Sequence, residues 1–100
     1  MKEATLVNKI GKYLKTIPNC CFEKRHGTPY GKVGQPDISC CVQDKNGKGI
    51  RLEFEAKILG NTPTPIQIER LKEWKNAGAI VGVVYSLEDV KALLKQVNMV

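Results

Sequence analysis

The stretch IRLEFEAKI, residues 50–58, decides the fold. Apolar and charged side chains alternate along it without a break, which is typical of a β-strand with one face against a core. The predicted apolar face consists of Ile50, Leu52, Phe54 and Ala56, and the charged face of Arg51, Glu53, Glu55 and Lys57.

The segment before this strand predicts its hairpin partner. Asn46-Gly47, within the turn DKNGKG, is a strong hairpin signal, so DISCCVQ, residues 37–43, is predicted to pair with residues 50–58. Further upstream, residues 26–36 hold three glycines and two prolines and predict a loop. NCCFEKR, residues 19–25, predicts another strand, and apolar residues at helical spacing before Pro18 predict an opening helix.

The segment after the strand predicts a crossover. Thr64-Pro65 is typical of a helix start, and the helix is expected to run from Pro65 to about Ala77 and to bury Ile68, Leu71 and Trp74. AIVGVVY, residues 79–85, predicts a strand covered on both faces, and a last helix carries apolar residues from Leu87 to Val97. The order α-β-β-β-α-β-α predicts an α/β fold: one domain over residues 1–100, with a mixed sheet flanked by helices.

Composition limits the function classes. The chain has 100 residues, 42% of them hydrophobic, and a net charge of +6, which favours a polyanionic partner such as nucleic acid. No apolar run approaches the length of a bilayer span, and the charges scattered through the first residues are unlike a secretion signal, so a cytoplasmic protein is expected. Because a domain this small buries a limited share of its surface, a second copy of the chain is a further expected partner.

The four cysteines form two adjacent pairs, Cys20-Cys21 and Cys40-Cys41. Neighbouring residues in a strand point to opposite faces, and the spacing does not suit a zinc site. We therefore expect free, mostly buried thiols in a reducing cytosol.

Pro36-Asp37 and Glu55-Ala56-Lys57 are the strongest candidates for chemistry. The predicted hairpin brings Asp37 beside Glu55, and Lys57 lies on the same strand face as Glu55. Two converging carboxylates repel each other unless a cation joins them, and an oxygen-only site suits Mg²⁺ or Mn²⁺. The alternative interpretation is a solvated strand face with ordinary ion pairs.

Three further polar residues stand at unusual positions. Glu3 continues the apolar stripe of the first helix, and Gln67 lies on the stripe of Leu71 and Trp74; their ordinary interpretations are a residue stabilising the helix dipole and a partly exposed amide. His26 is the only histidine and is interpreted as a loop residue within reach of phosphate.

These residues resemble the PD-(D/E)XK nuclease superfamily, and the chain is most similar to the stand-alone virus-type replication-repair nuclease (VRR-NUC) domain of phages and bacteria. The stretches that carry the resemblance are Glu3, KVGQPDI (residues 32–38), FEAK (54–57), TPIQIERLKEW (64–74) and AGA (77–79). Nearly the whole chain is covered.

The resemblance implies a role for each matching residue. Glu3, Asp37, Glu55 and the carbonyl of Ala56 would bind the metal, Lys57 would be the catalytic lysine, and Gln67 would position water or substrate. Arg25 and Lys32 would contact nucleic acid, and His26, from its place in the loop rather than from the resemblance, is a further expected contact.

The expected function is that of a Mg²⁺- or Mn²⁺-dependent endonuclease acting on DNA, with a preference for branched DNA such as Holliday junctions, and working as a homodimer. A non-catalytic basic module that binds nucleic acid or a host protein is the alternative. It is distinguished by the acidic residues, because a pure phosphate binder has no reason to direct carboxylates at a polyanion.

Overall fold

The computed structural model describes residues 2–25 and 32–99 and has the predicted order of elements. The elements are α1 (Glu3–Leu14), β1 (Cys20–Lys24), β2 (Ile38–Gln43), β3 (Gly49–Ala56), α2 (Pro65–Asn76), β4 (Ile80–Val84) and α3 (Leu87–Leu94). Residues 26–31, which are His26 and the rest of the first half of the predicted loop, lie outside the described residues.

The strands form one mixed sheet in the order β1-β2-β3-β4. β1 and β3 are both antiparallel to β2, whereas β3 and β4 run parallel and are connected through α2. Gly47, in the β2–β3 turn, has a φ of +83°, which explains why the turn needs glycine there. The α/β fold with a mixed sheet flanked by helices, as the sequence predicts, is confirmed.

The hydrophobic core lies between the sheet and the pair α1 and α3. The apolar stripe of β3 is fully buried there, at Leu52, Phe54 and Ala56. The residues that meet it are Leu6, Ile10 and Leu14 of α1, Val90 and Leu94 of α3, and Val97 just beyond α3. Both helices end earlier than the last apolar residue of their stripes, since Ile17 and Val97 pack from the turns that follow.

α2 covers the other face of the sheet, over β3 and β4. Thr64 and Gln67 form a capping box at its start, and Pro65 occupies its first turn. Leu71 is buried against the sheet, but Ile68 is 42% exposed, so the prediction that Ile68 is buried was wrong. Leu71 and Trp74 lie on the same stripe of the helix, and Ile68 lies to the side of that stripe.

The cysteines are all free thiols, as predicted, but only half of them are shielded from water. Cys40 is buried and Cys20 half-buried, with their sulfur atoms 3.8 Å apart, whereas Cys21 and Cys41 are exposed. The reason is that Cys21 and Cys41 point to the sheet face that carries α2, and α2 covers β3 and β4 rather than β1 and β2.

In the part of the chain that the structure describes, no helix is long and apolar enough to cross a bilayer.

Candidate functional site

Asp37 and Glu55 meet at one end of the β2–β3 hairpin. The last residues paired in this ladder are Ile38 and Phe54, so Asp37 is the next residue of its strand and lies opposite Glu55. The Asp37 Oδ2 atom accepts a hydrogen bond of 2.8 Å from the backbone N–H of Ala56. The hairpin thus brings the two carboxylates together in the way that the sequence predicts.

Glu55 carries the strongest electrostatic signal of the site. Glu55 is only 1% exposed, and its Oε2 atom is buried without a hydrogen-bond partner among residues 2–25 and 32–99. Burial, and then the charge of Asp37, raise the pKa of Glu55 from 4.5 to about 8. A buried carboxyl group with an unpartnered oxygen is unfavourable for folding. No structural partner accounts for it among the described residues, so a functional role is the remaining explanation.

Asp37 shows the same effect more weakly. Burial raises the pKa of Asp37, and the negative charge of Glu3 adds to the rise, while the hydrogen bond from Ala56 opposes it. Perturbed carboxyl groups of this kind cluster at functional sites.

Lys57 supplies the positive charge of the site. Its Nζ atom lies 3.9 Å from Glu55 Oε1, and the residue is 8% exposed. The backbone N–H of Lys57 donates to the Val84 carbonyl at 3.0 Å, which fixes Lys57 to β4 just beyond the end of β3. Because Glu55 and Lys57 are both covered, the alternative of a solvated, ordinary strand face does not describe this end of β3.

Glu3 is the first residue of α1 and is half-buried. Its charge raises the pKa of both Asp37 and Glu55. Within residues 2–25 and 32–99, however, no three His, Cys, Asp or Glu side chains lie close enough together to hold a metal ion. Glu3 therefore acts on Asp37 and Glu55 through its charge, and its role as a third metal ligand stays a prediction.

Gln67 has a structural partner that the sequence analysis did not assign. Its Oε1 atom accepts from the backbone N–H of Thr64 at 2.9 Å, and its own backbone N–H donates to the Thr64 hydroxyl at 3.3 Å. The side-chain oxygen is thus engaged in the capping box of α2. Water positioning by Gln67 stays a prediction.

The three residues predicted to contact nucleic acid differ in how accessible the structure leaves them. Lys32 has a side chain that is 63% exposed, and its only ion pair within the described ranges is a long one of 3.8 Å with Glu73. Arg25 is instead engaged inside the protein, where it pairs with Glu53 and donates to the Pro36 carbonyl. His26 lies outside the residues that can be described.

Glu53 is the residue that the sequence analysis passed over. It is fully buried on the same face of β3 as Glu55, beneath α2. Its strand position was predicted, but its partners come from β2, from β3 itself and from the residue after β1. The uninterrupted alternation of residues 50–58 was the one available signal, because it placed Glu53 one pleat from Glu55.

The sheet order β1-β2-β3-β4 with helices on both faces gives the α/β core of this protein, and Asp37 and Glu55 lie at the start of β2 and the end of β3. Solved structures of two other proteins have a similar fold. One, a VRR_NUC domain, superposes with a TM-score of 0.72 over 93% of this chain and 94% of its own, at 21% sequence identity. The other, a VRR_NUC domain protein, has a TM-score of 0.72 over 97% of this chain and 88% of its own, at 19% identity.

The protein therefore has the fold of a VRR-NUC domain, which is the fold that the sequence resemblance implied. Its sequence matches no protein-family profile and no curated protein.

Proposed function

We propose that the protein is a nuclease that uses Mg²⁺ or Mn²⁺ to hydrolyse phosphodiester bonds of DNA. The observation that carries this proposal is Glu55: its carboxylate is buried beside Asp37 and Lys57, with one oxygen unpartnered among the residues described. On a VRR-NUC fold, this is the place where the resemblance expects the catalytic carboxylate and lysine.

The donor set fits a hard divalent cation. Mg²⁺ is commonly held by one or two carboxylates, with water and phosphate oxygens completing its ligands, so the pair Asp37 and Glu55 is sufficient. Such a cation would neutralise the two carboxylates and supply positive charge to the phosphate undergoing hydrolysis. The backbone carbonyl of Ala56 and the carboxylate of Glu3 are further proposed ligands.

The remaining chemistry belongs to the side chains. Burial disfavours the charged form of both carboxyl groups, and at Glu55, whose pKa is about 8, the effect is large enough for the group to be mostly protonated at about pH 7 without a cation. Lys57 is proposed to stabilise the charge that develops on the phosphate oxygens as the bond to the incoming water forms and the bond to the leaving oxygen breaks. Lys32 is free to contact a flanking phosphate, whereas Arg25 would have to leave Glu53 to do so.

The finer part of the proposal concerns the substrate and assembly. We propose endonucleolytic cleavage of branched DNA by a homodimer, in which two sites act on two strands, in a reducing cytoplasm that keeps the four cysteines as thiols. The net charge of +6 supports binding through phosphates rather than through base edges.

A comparison of a four-way junction with a linear duplex of the same sequence tests substrate choice. We expect faster cleavage of the junction in Mg²⁺, with little change when the bases are altered and the branch is kept. Binding in Ca²⁺ should weaken with salt, and Lys32→Ala should lower the slope of log affinity against log salt by about 0.9. Lys45→Ala, in the exposed β2–β3 turn at the opposite end of β2, is the matched control and should leave the slope unchanged.

Equal cleavage of the two substrates at every salt concentration would overturn the preference for branched DNA and leave a general nuclease. Binding of DNA without cleavage in Mg²⁺ or Mn²⁺ would instead support the alternative of a non-catalytic nucleic-acid-binding module.

A further inference from the structure

A second, fully satisfied carboxylate lies one pleat from Glu55. Glu53 is 0% exposed, and both of its oxygens are engaged. Its Oε1 atom accepts from Arg25 Nη1, and its Oε2 atom accepts from the Ser39 hydroxyl at 2.6 Å and from Arg51 Nε at 2.9 Å. A buried carboxylate is tolerated when it is paired and hydrogen-bonded in this way.

Trp74 covers this ion cluster from α2. The guanidinium carbons of Arg25 and Arg51 lie 5.3 Å and 4.8 Å from the centroid of its ring, within the range of cation–π interactions. The indole N–H donates to the Gln35 side chain at 2.8 Å. Trp74 thereby ties α2 to the segment that leads into Asp37.

Arg25 connects the cluster to the candidate metal site. From the same Nη1 atom that reaches Glu53, it donates to the Pro36 carbonyl at 3.0 Å. Its backbone N–H donates to the Asp37 carbonyl at 2.7 Å. Two consecutive carbonyls, on Pro36 and Asp37, are therefore held by one residue.

We infer that Glu53, through Arg25, positions the carboxylate of Asp37 for a divalent cation. Asp37 lies one residue beyond the paired part of β2, so the β2–β3 ladder alone does not hold it. The Arg25 side chain, oriented by Glu53 and Trp74, holds the Pro36 carbonyl next to Asp37, while its backbone N–H holds the Asp37 carbonyl. The Ala56 N–H then donates to the Asp37 carboxylate. Arg25 and Glu53 are positioning residues here, and Arg25 is not the free phosphate contact that its sequence position implied.

The part of this inference that concerns cation binding rests on the proposed function. The part that concerns how Arg25 and Glu53 hold Asp37 in place does not. Arg51 provides the matched control, because it pairs with Glu53 and stacks on Trp74 as Arg25 does, yet its hydrogen bond goes to Glu53 rather than to Pro36 or Asp37. Arg25→Met and Arg51→Met remove the same charge and the same kind of pairing. A purely structural role predicts similar effects of the two substitutions.

The experiment uses metal-free protein without DNA, so a lost phosphate contact cannot contribute. Hydrogen exchange of the Ala56 amide, followed by NMR, should become about tenfold faster in Arg25→Met and stay unchanged in Arg51→Met, since only the former loosens Asp37. The Lys57 amide, which donates to Val84, is the internal reference. Calorimetric titration with Mn²⁺ should then show an affinity about tenfold or more weaker in Arg25→Met alone, as for other residues that orient metal ligands.

Loss of a positive charge by itself favours cation binding, so weaker binding in Arg25→Met cannot be an electrostatic effect. Equal Ala56 exchange in the two variants, or equal Mn²⁺ affinities, would overturn the inference. Absence of Mn²⁺ binding in the unmodified protein would contradict the proposed function instead. Faster Ala56 exchange in Arg25→Met alone would then still support the positioning of Asp37.

Discussion

Glu55→Gln is expected to abolish DNA cleavage and, in metal-free protein, to raise the free energy of unfolding at about pH 8. The pKa of Glu55 is about 8 in the folded protein, against an ordinary value of 4.5, chiefly because the carboxyl group is buried. Between these two values the folded state holds a proton that the unfolded state has lost. The free energy of unfolding therefore falls with rising pH, by about 1.4 kcal/mol per unit for this group.

The glutamine side chain does not titrate, so the free energy of unfolding of the variant lacks this part of the pH dependence. Its advantage over the unmodified protein should grow from about pH 4.5 to about pH 8 and then level off, as measured by urea denaturation in the presence of a chelator. Glu23→Gln, the same change at an exposed position on β1, should alter neither stability nor cleavage. A glutamine variant that cleaves DNA, or one that gains no stability at the higher pH, would contradict this account of Glu55.

Lys57→Met is expected to lower the cleavage rate by about a hundredfold or more while leaving Mn²⁺ affinity unchanged or slightly higher. The Nζ atom lies beside Glu55 Oε1 in a covered position, so its positive charge acts on the site with little screening by water. The Nζ atom itself is not a metal ligand. Single-turnover cleavage and Mn²⁺ calorimetry on the same samples separate the two effects.

Lys45→Met, in the exposed turn between β2 and β3, controls for the general loss of one positive charge and should cleave at the unmodified rate. If Mn²⁺ affinity and cleavage fall together in Lys57→Met, the lysine holds the ion pair with Glu55 and has no separate role in the reaction.

The parts of the fold that depend on local chemistry could be predicted from the sequence. The alternation of residues 50–58 indicated β3 and its two faces, Asn46-Gly47 indicated the hairpin, and Thr64-Pro65 indicated the start of α2. The hairpin in turn placed Asp37 opposite Glu55, because strand pairing is a matter of register.

The parts that depend on which helix covers which strand could not be predicted in the same way. Glu53 and Cys41 point to the same face of the sheet, but Glu53 is buried and paired with two arginines that stack on Trp74, whereas Cys41 is exposed. That difference follows from α2 lying over β3 and β4 rather than over β1 and β2. Arg25 and Ser39, which bind Glu53, come from distant positions along the chain, so no local sequence pattern predicts these contacts.

The most direct test of the central claim, that Asp37 and Glu55 together bind a divalent cation, is calorimetric titration of Mn²⁺ into metal-free protein at about pH 7. Run in two buffers of different ionisation enthalpy, it reports binding and proton release together. Since the pKa of Glu55 is about 8, we expect binding to release close to one proton, and we expect the heat to disappear in Asp37→Asn. Absence of binding in the unmodified protein, or equally tight binding in Asp37→Asn, would contradict the claim.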